Sequence, residues 1–423
     1  MEIARSLLGM AILLLAAFAI SNNRGAVRLR IAAAALLAQI AIGALILFVP
    51  VGKEALAGVA QTVNRVLDYG NQGIAFMFGG LTDARMFELF GSGGFVFAVR
   101  VLPMIIFMTA LISVLYYLGI MRWVVTLLGT LFHKLLGVSR IESFSAVTTI
   151  FLGQSEMPAA VKPFIKDMSG PEIFAVMASG MSSVAGSVLA GYAGMGVKME
   201  YLIAASFMAV PGGLLFAKII CPSAEASRVQ VAGAGFDEKR AANVIEAAAS
   251  GAAVGLKIAA SVGAMLIAFI GLISLADGLV GGVAGWLGYS GVTLETMLGR
   301  AFSPLAFMIG VPWQDAALAG NFIGQKMILN EFVAYSALAP YLHDAASAQA
   351  AGLAVLDART VAIVSFALCG FANLASIAVL TGGFSAVAPE RRSEVARYGL
   401  RAVAAGTLSN LMSAAIAGIF LSL

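Results

Sequence analysis

The sequence predicts an all-α integral membrane protein of about eight transmembrane helices and two re-entrant helical hairpins arranged as an inverted repeat. Three observations lead there. Apolar residues make up 61% of the chain and charged ones only 11%, against about 25% charged in a soluble domain, so there are too few charges to coat a water-facing core of this size. Apolar runs of roughly twenty residues, the length that satisfies every backbone group across a bilayer, recur along it. Two more apolar stretches, one in each half, are interrupted by Gly, Pro and acids and are too polar at mid-length for simple spans. The net charge of +4 would favour a nucleic acid polymer only if the basic residues clustered on a polar domain. They sit instead in short loops, which leaves the lipid bilayer as the partner.

The spans fall near 6–21, 31–49, 93–119, 172–195, 200–220, 250–275, 358–383 and 397–422. The first ends in Ala17-Phe18-Ala19, which resembles a signal-peptide cleavage site. Its front, however, carries only Glu2 and Arg5, and the positive charge follows in Arg24, Arg28 and Arg30. Lys and Arg accumulate in cytoplasmic loops, so this reads as an uncleaved first span with an external N-terminus. Continuing that orientation puts 16 of the 26 basic residues on the cytoplasmic side, provided each interrupted stretch enters and leaves on one side. Both termini then lie outside a cell membrane crossed many times.

Between the spans, 68–86 and 277–295 are Gly-rich and modestly apolar, which suits helices lying on the membrane surface. The stretch 221–247, with Asp237-Glu238-Lys239-Arg240, reads as a cytoplasmic linker between halves. Cys221 and Cys369 lie far apart in apolar surroundings and read as small core residues. Two histidines, His133 and His343, are too few for a His-rich metal centre.

The first interrupted stretch, near 139–166, breaks at Gly153-Gln154-Ser155-Glu156-Met157-Pro158, and the span after it carries Ser182-Ser183-Val184-Ala185-Gly186-Ser187. The second, near 300–340, begins around Arg300, passes Pro312 and Gly324 and ends at Asn330-Glu331; its following span carries Gly370-Phe371-Ala372-Asn373-Leu374-Ala375-Ser376. Matching Gly/Pro-interrupted segments in two halves point to a transporter site at mid-membrane, because backbone freed from helix bonds must line a polar cavity. The first hairpin enters from inside and the second from outside. No residue-by-residue identity links the halves, so the repeat is one of architecture. An acid at the bilayer centre costs about 2.5–3.5 kcal/mol, which marks Glu156 and Glu331 as functional. The plainer reading is a structural pairing, such as Glu331 with Lys326. Gln154 and Asn373 at the same breaks favour a multidentate polar site.

At these residues the chain resembles the concentrative nucleoside transporter family, in its short bacterial form and over nearly its whole length. The matching segments, in order, are Glu142-Ser143-Phe144, Gly153-Gln154-Ser155-Glu156, Ser183-Val184-Ala185-Gly186-Ser187-Val188, Asn330-Glu331-Phe332-Val333-Ala334-Tyr335, and Phe371-Ala372-Asn373 with Ser376. The resemblance implies a homotrimer that takes up nucleosides with a coupled cation, by alternating access of a mobile transport unit against a scaffold. It divides the chain into scaffold helices one to three with interfacial helices (1–135) and the first hairpin with its broken helix (136–221). The linker, scaffold helix six and an interfacial helix follow (222–298), then the second hairpin with helices seven and eight (299–423). By similarity, Gln154, Ser155, Glu156 and Val188 face the nucleobase, Glu331, Asn373 and Ser376 hold the ribose hydroxyls, and Phe371 packs on the substrate. A carboxylate that accepts from paired hydroxyls, and an amide that both donates to and accepts from a base edge, suit those roles. No cofactor is implied beyond the ion.

The ion is read at one departure from the family pattern. Sodium-coupled members place an Asn four residues before the Gly of Gly-Gln-[Ser/Thr]-Glu, where its side chain binds sodium; here that position is Thr149. The other implied ligands are the carbonyls of Leu152, Ser183 and Val184 and the Ser183 hydroxyl. A proton-coupled bacterial branch has Ser at this place, yet Ser183 with Ala185-Gly186-Ser187 matches the sodium branch, so sodium is favoured and the proton is the alternative. Rival classes fit less well. A carrier of another polar solute shares the hairpin plan, but an anionic substrate calls for an intramembrane Arg or a helix N-terminus aimed at it. Two acids and two amides suit a neutral, polyhydroxylated one. An intramembrane aspartyl-type enzyme needs facing acids in a Gly-x-Gly-Asp context, which neither Glu156 nor Glu331 has.

Overall fold

The computed structural model describes residues 2–83, 85–90, 95–223, 227–229, 241–289, 291–342 and 353–423, and among them all regular structure is helical. Helix α1 (Glu2–Ala19) and α2 (Leu29–Leu47) are followed by the 29-residue α3 (Pro50–Phe78). The short α4 (Arg85–Phe90) and α5 (Phe97–Arg100) lead into α6 (Leu102–Tyr117) and α7 (Ile120–Leu136). Next, α8 (Arg140–Thr148) and α9 (Met157–Val161) flank a tip of turns at 149–156. Ser139 starts α8 by a reciprocal cap: its backbone N–H donates to Glu142 Oε2 at 2.9 Å, and its hydroxyl accepts from the Glu142 N–H at 3.3 Å. Such a box satisfies two N–H groups that a helix start leaves unpaired.

The chain continues through α10 (Gly170–Ser182), α11 (Gly186–Gly194) and α12 (Met199–Ile220). The 43-residue α13 (Val244–Trp286) comes next, followed by α14 (Leu294–Met308), α15 (Trp313–Ile328) and α16 (Glu331–Leu338). Last come α17 (Ala358–Leu368), α18 (Ala375–Val387) and α19 (Arg392–Phe420). Each apolar run read from the sequence holds a helix or a helix pair split by a break. Six stretches among the described residues are long and apolar enough to cross a bilayer: 29–47, 97–117, 170–194, 199–220, 244–286 and 389–420. Those at 170–194 and 199–220 are almost wholly enclosed by protein, whereas those at 29–47 and 244–286 leave most of their surface outside. The spans thus divide into an enclosed group and a group with exposed apolar faces.

Three expectations are corrected. The stretch 277–295 does not form a separate surface helix, because α13 runs unbroken to Trp286; no proline interrupts it, and Asp277 Oδ1 accepts from the Leu294 N–H where the chain returns. The first part of the stretch 68–86, up to Phe78, closes a helix that starts much earlier, at Pro50, where a proline at the first turn sacrifices no hydrogen bond; a short 3-10 turn follows at Gly79–Thr82. The run from Arg300 is two helices. The chain turns at 309–312, with Gly310 at φ +115°, and α14 and α15 then pack antiparallel, Ser303 against Gly320 and Leu298 against Gly324. The linker residues Asp237-Glu238-Lys239-Arg240 and His343 lie outside the described residues. Cys221 and Cys369 are both buried free thiols, as expected.

Candidate functional site

Four chain breaks meet at one place: the tip at 149–156, the gap at 183–185 between α10 and α11, the gap at 329–330 between α15 and α16, and the gap at 369–374 between α17 and α18. Each is a place where helix carbonyls and N–H groups lose their partners, and the breaks satisfy one another. The Phe371 N–H donates to the Ser183 carbonyl at 3.3 Å, and the Leu374 N–H to the Met327 carbonyl at 3.3 Å. Gly153 lies beside Ala185 and the Phe371 ring. Leu329 turns the chain with φ −103°, ψ −90°, and Asn330 then caps α16 by accepting from the Val333 N–H at 2.9 Å.

The side chains expected to form the site are brought together by these contacts. Gln154 Nε2 donates to Ser376 Oγ at 2.7 Å. Ser376 Oγ in turn lies 2.5 Å from the Phe371 carbonyl and 3.1 Å from Asn373 Oδ1. Asn373 Nδ2 donates to Glu331 Oε2 at 3.1 Å, and Tyr192 OH donates to Glu331 Oε1 at 3.1 Å. Gln154 is 8% exposed and Glu331 4%, so these groups are withdrawn from bulk water, where a missing partner costs about 1–3 kcal/mol. Within this network Gln154 Oε1 is buried with no hydrogen-bond partner. Asn330 Nδ2 is in the same condition beside Glu331.

The remaining predicted residues are placed less tightly. Ser155 is exposed at the tip, and Glu156 bends back so that its carboxylate accepts from the Gly153 N–H at 3.1 Å. Val188 is buried near the start of α11. Lys326, the structural partner the sequence offers to Glu331, donates to Asn410 Oδ1 at 2.8 Å. Thr149 and Ser183 are adjacent as expected: the Ser183 hydroxyl lies 3.1 Å from the Thr149 carbonyl. Thr149 Oγ1 donates to the Ala146 carbonyl at 2.7 Å, which spends its proton and leaves its lone pairs available to a cation. Leu152 and Val184 lie within the same two breaks.

Two residues were missed. Tyr192 is fully buried and holds one oxygen of Glu331; Asn410, in the last span, bonds to Cys369 in one break and to Ser182 and Lys326 near two others. Both carried a signal, since a phenol or an amide inside an apolar span needs a partner, but nothing in the sequence names that partner. A separate cavity of ≈ 350 Å³ lies among Arg28, His133, Arg140, Glu142, Glu172 and Lys218. It shares no residue with the breaks and is organised by the buried ion pair of Lys218 with Glu142.

Comparison with known proteins is consistent over the whole chain. The family model described as Na+ dependent nucleoside transporter C-terminus matches residues 201–418, its N-terminus counterpart matches residues 8–81, and a nucleoside recognition Gate model matches residues 98–199. Nucleoside permease NupC of Helicobacter pylori is 49% identical over 418 residues, which is 99% of this chain and 98% of that one. Sodium/nucleoside cotransporter 1 of Mus musculus is 32% identical over 419 residues, 98% of this chain and 63% of that one. The inward-facing, substrate-bound structure of CNTnw matches with a TM-score of 0.94 and 53% identity, covering 100% of this chain and 98% of that one. An outward-facing structure of a CNTnw variant matches with the same score, identity and coverage.

Proposed function

The chain belongs to the concentrative nucleoside transporter family, and from that premise we propose that it takes up nucleosides by symport with sodium. Its relatives are carriers, not enzymes, and the existence of both inward- and outward-facing structures among them implies alternating access. The observation that carries the substrate reading is the state of the buried network. Almost every group in it is paired, but Gln154 Oε1 is not, and the two oxygens of Glu331 accept from Tyr192 OH and Asn373 Nδ2 where an ionised carboxylate accepts about four bonds in all. The open capacity is therefore an amide oxygen at one end and a carboxylate at the other. A nucleobase donor suits the first and two vicinal ribose hydroxyls suit the second.

On this reading Gln154, Ser155, Glu156 and Val188 face the base, Glu331, Asn373 and Ser376 hold the ribose, and Phe371 packs on the substrate. Sodium sits among Thr149, Leu152, Ser183 and Val184, with oxygen donors as a hard cation requires. The tips at 149–156 and 329–330 are the ends of two re-entrant hairpins of opposite orientation. The enclosed spans at 170–194 and 199–220 belong with them to a transport unit, and the exposed spans at 29–47 and 244–286 belong to the scaffold of a trimer in the cytoplasmic membrane, with both chain termini external. Support for the orientation is the bias of Lys and Arg to one side.

The test is uptake of radiolabelled uridine and adenosine into vesicles with sodium and proton gradients imposed separately. Accumulation driven by sodium alone is the expected result. Accumulation driven only by the proton gradient assigns the coupling to protons, and no accumulation of either nucleoside points to another neutral polyhydroxylated solute.

A further inference from the structure

Asn410 stands in the middle of α19 and is 2% exposed. Its side chain is fully engaged. Nδ2 donates to the Ser182 carbonyl at 2.6 Å and to the Cys369 carbonyl at 2.9 Å, and Oδ1 accepts from Lys326 Nζ at 2.8 Å. Each of these three partners lies at or near a break: Ser182 ends α10 just before the gap at 183–185, Cys369 opens the gap at 369–374, and Lys326 lies in the last turn of α15, three residues before Leu329. The carbonyls at a helix end lack intrahelical partners and carry the negative end of the helix dipole. One amide closes two of them, and the ammonium of Lys326, itself 1% exposed, is held against that amide.

The neighbouring backbone is shaped to admit this side chain. A Cβ on Gly370 would lie 2.2 Å from Asn410 Oδ1, and a Cβ on Gly406, one turn earlier in α19, would lie 2.9 Å from both Met181 C and Ala372 Cβ. Glycine at both positions lets α19 press its Asn410 face into the gap between α10 and α17. Beyond the partners come Ser183 and Val184 on one side and Phe371, Asn373 and Ser376 on the other.

We propose that Asn410, anchored by Lys326, is the positioning residue through which occupation of the ion segment alters the substrate segment. The proposal rests on the ion and substrate assignments made above. If an ion draws in the carbonyls of Ser183 and Val184, the Ser182 carbonyl moves with them, and the shared amide carries that displacement to Cys369 and so to Phe371–Ser376. Without the amide the two segments keep their own groups but lose this rigid connection.

The experiment is titration of the purified protein with uridine across a series of sodium concentrations at constant ionic strength, with choline as the replacement ion, and the reverse titration with sodium. Coupling is reciprocal and typically about 5- to 150-fold, so the parent tightens for uridine by at least about fivefold in saturating sodium and for sodium by the same factor in saturating uridine. Asn410→Ala reduces both factors below about twofold while uridine affinity in choline stays at the parent value. Lys326→Gln, which can still donate to Oδ1, retains most of the coupling, and Lys326→Met loses most of it, so the role is testable even if Asn410→Ala does not fold. Uridine affinity that falls equally with and without sodium in Asn410→Ala, or in Lys326→Met when that is the variant that folds, means a merely structural role and overturns the proposal. A parent with equal uridine affinity in sodium and choline overturns the ion assignment instead, and the coupling role with it, before any variant is made.

Discussion

Replacing Glu331 by glutamine tests the ribose end of the site with little disturbance to the fold. In the parent, the two carboxylate oxygens accept from Tyr192 OH and Asn373 Nδ2, both at 3.1 Å. Glutamine can keep both contacts by directing its oxygen to Asn373 and its amino group to the tyrosine hydroxyl, which accepts as well as donates. What disappears is the charge. A hydrogen bond to a charged group is worth about 1.5–3 kcal/mol and a neutral one about 0.5–1.5, a loss of roughly 1–1.5 kcal/mol for each ribose hydroxyl that Glu331 binds. For two hydroxyls this is about 2–3 kcal/mol, or a 30- to 150-fold weaker affinity for uridine. The assay is calorimetric titration of purified parent and Glu331→Gln with uridine and with an analogue lacking the 2′ and 3′ hydroxyls, alongside thermal unfolding. The parent prefers uridine strongly, because a site built on those hydroxyls leaves its own groups unpaired without them. In Glu331→Gln most of that preference vanishes and unfolding is nearly unchanged. If Glu331→Gln folds normally and discriminates between the two compounds as the parent does, Glu331 does not read the ribose.

Four further outcomes follow from the same contacts. Thr149→Val, which keeps shape but deletes the hydroxyl oxygen, shifts sodium-dependent uptake to higher sodium, while Thr149→Asn preserves or strengthens it; sodium titrations of uridine uptake at fixed pH check both. Tyr192→Phe removes one donor from Glu331 and weakens uridine binding by about 0.5–1.5 kcal/mol, read as a several-fold rise in Kd. Gly370→Ala forces a methyl into Asn410 and lowers the yield of folded protein in detergent, by an overpacking cost of about 1–3 kcal/mol; size-exclusion profiles of parent and variant check it. Lys218→Met removes the partner of Glu142 Oε1 while Oε2 keeps the Ser139 N–H, and destabilises by about 1–3 kcal/mol, seen as a drop in unfolding temperature that Glu142→Gln largely reverses.

Much of the fold was legible because a bilayer leaves the sequence little choice. Backbone in lipid must be hydrogen-bonded within its own segment, so runs of apolar residues mark helices directly, and Gly153–Pro158 and Gly370–Ser376 marked breaks by placing polar residues where a continuous span would have none. Glu156, Glu331, Gln154 and Asn373 stood out for the same reason. What stayed hidden depends on which break faces which. Asn410 and Tyr192 are single polar residues in apolar spans, and their partners lie 228 and 139 positions away for the Ser182 carbonyl and Glu331 respectively. Pro312 was read as an interruption but not as a full turn at 309–312, because helices packed through small residues such as Gly320 and Gly324 have the same composition as one long apolar run. The Gly-rich end of α13 misled in the other direction: glycine lowers helix propensity by only about 1 kcal/mol per residue, less than the cost of leaving a peptide group unpaired in lipid.

The length of α13 carries a mechanical consequence. At 1.5 Å per residue its 43 residues extend about 64 Å, twice the roughly 30 Å of hydrocarbon in a bilayer. Kept straight and wholly within that thickness it would lean at about 60°, beyond the 0–40° range of membrane helices, so a straight α13 extends past the hydrocarbon. Its early turns are fastened to α6, where a Cβ on Gly255 would lie 2.7 Å from Ile106 Cα. Its far turns present Ile267, Leu279 and Trp286 outward. Membranes of different acyl-chain length therefore cover different shares of this helix.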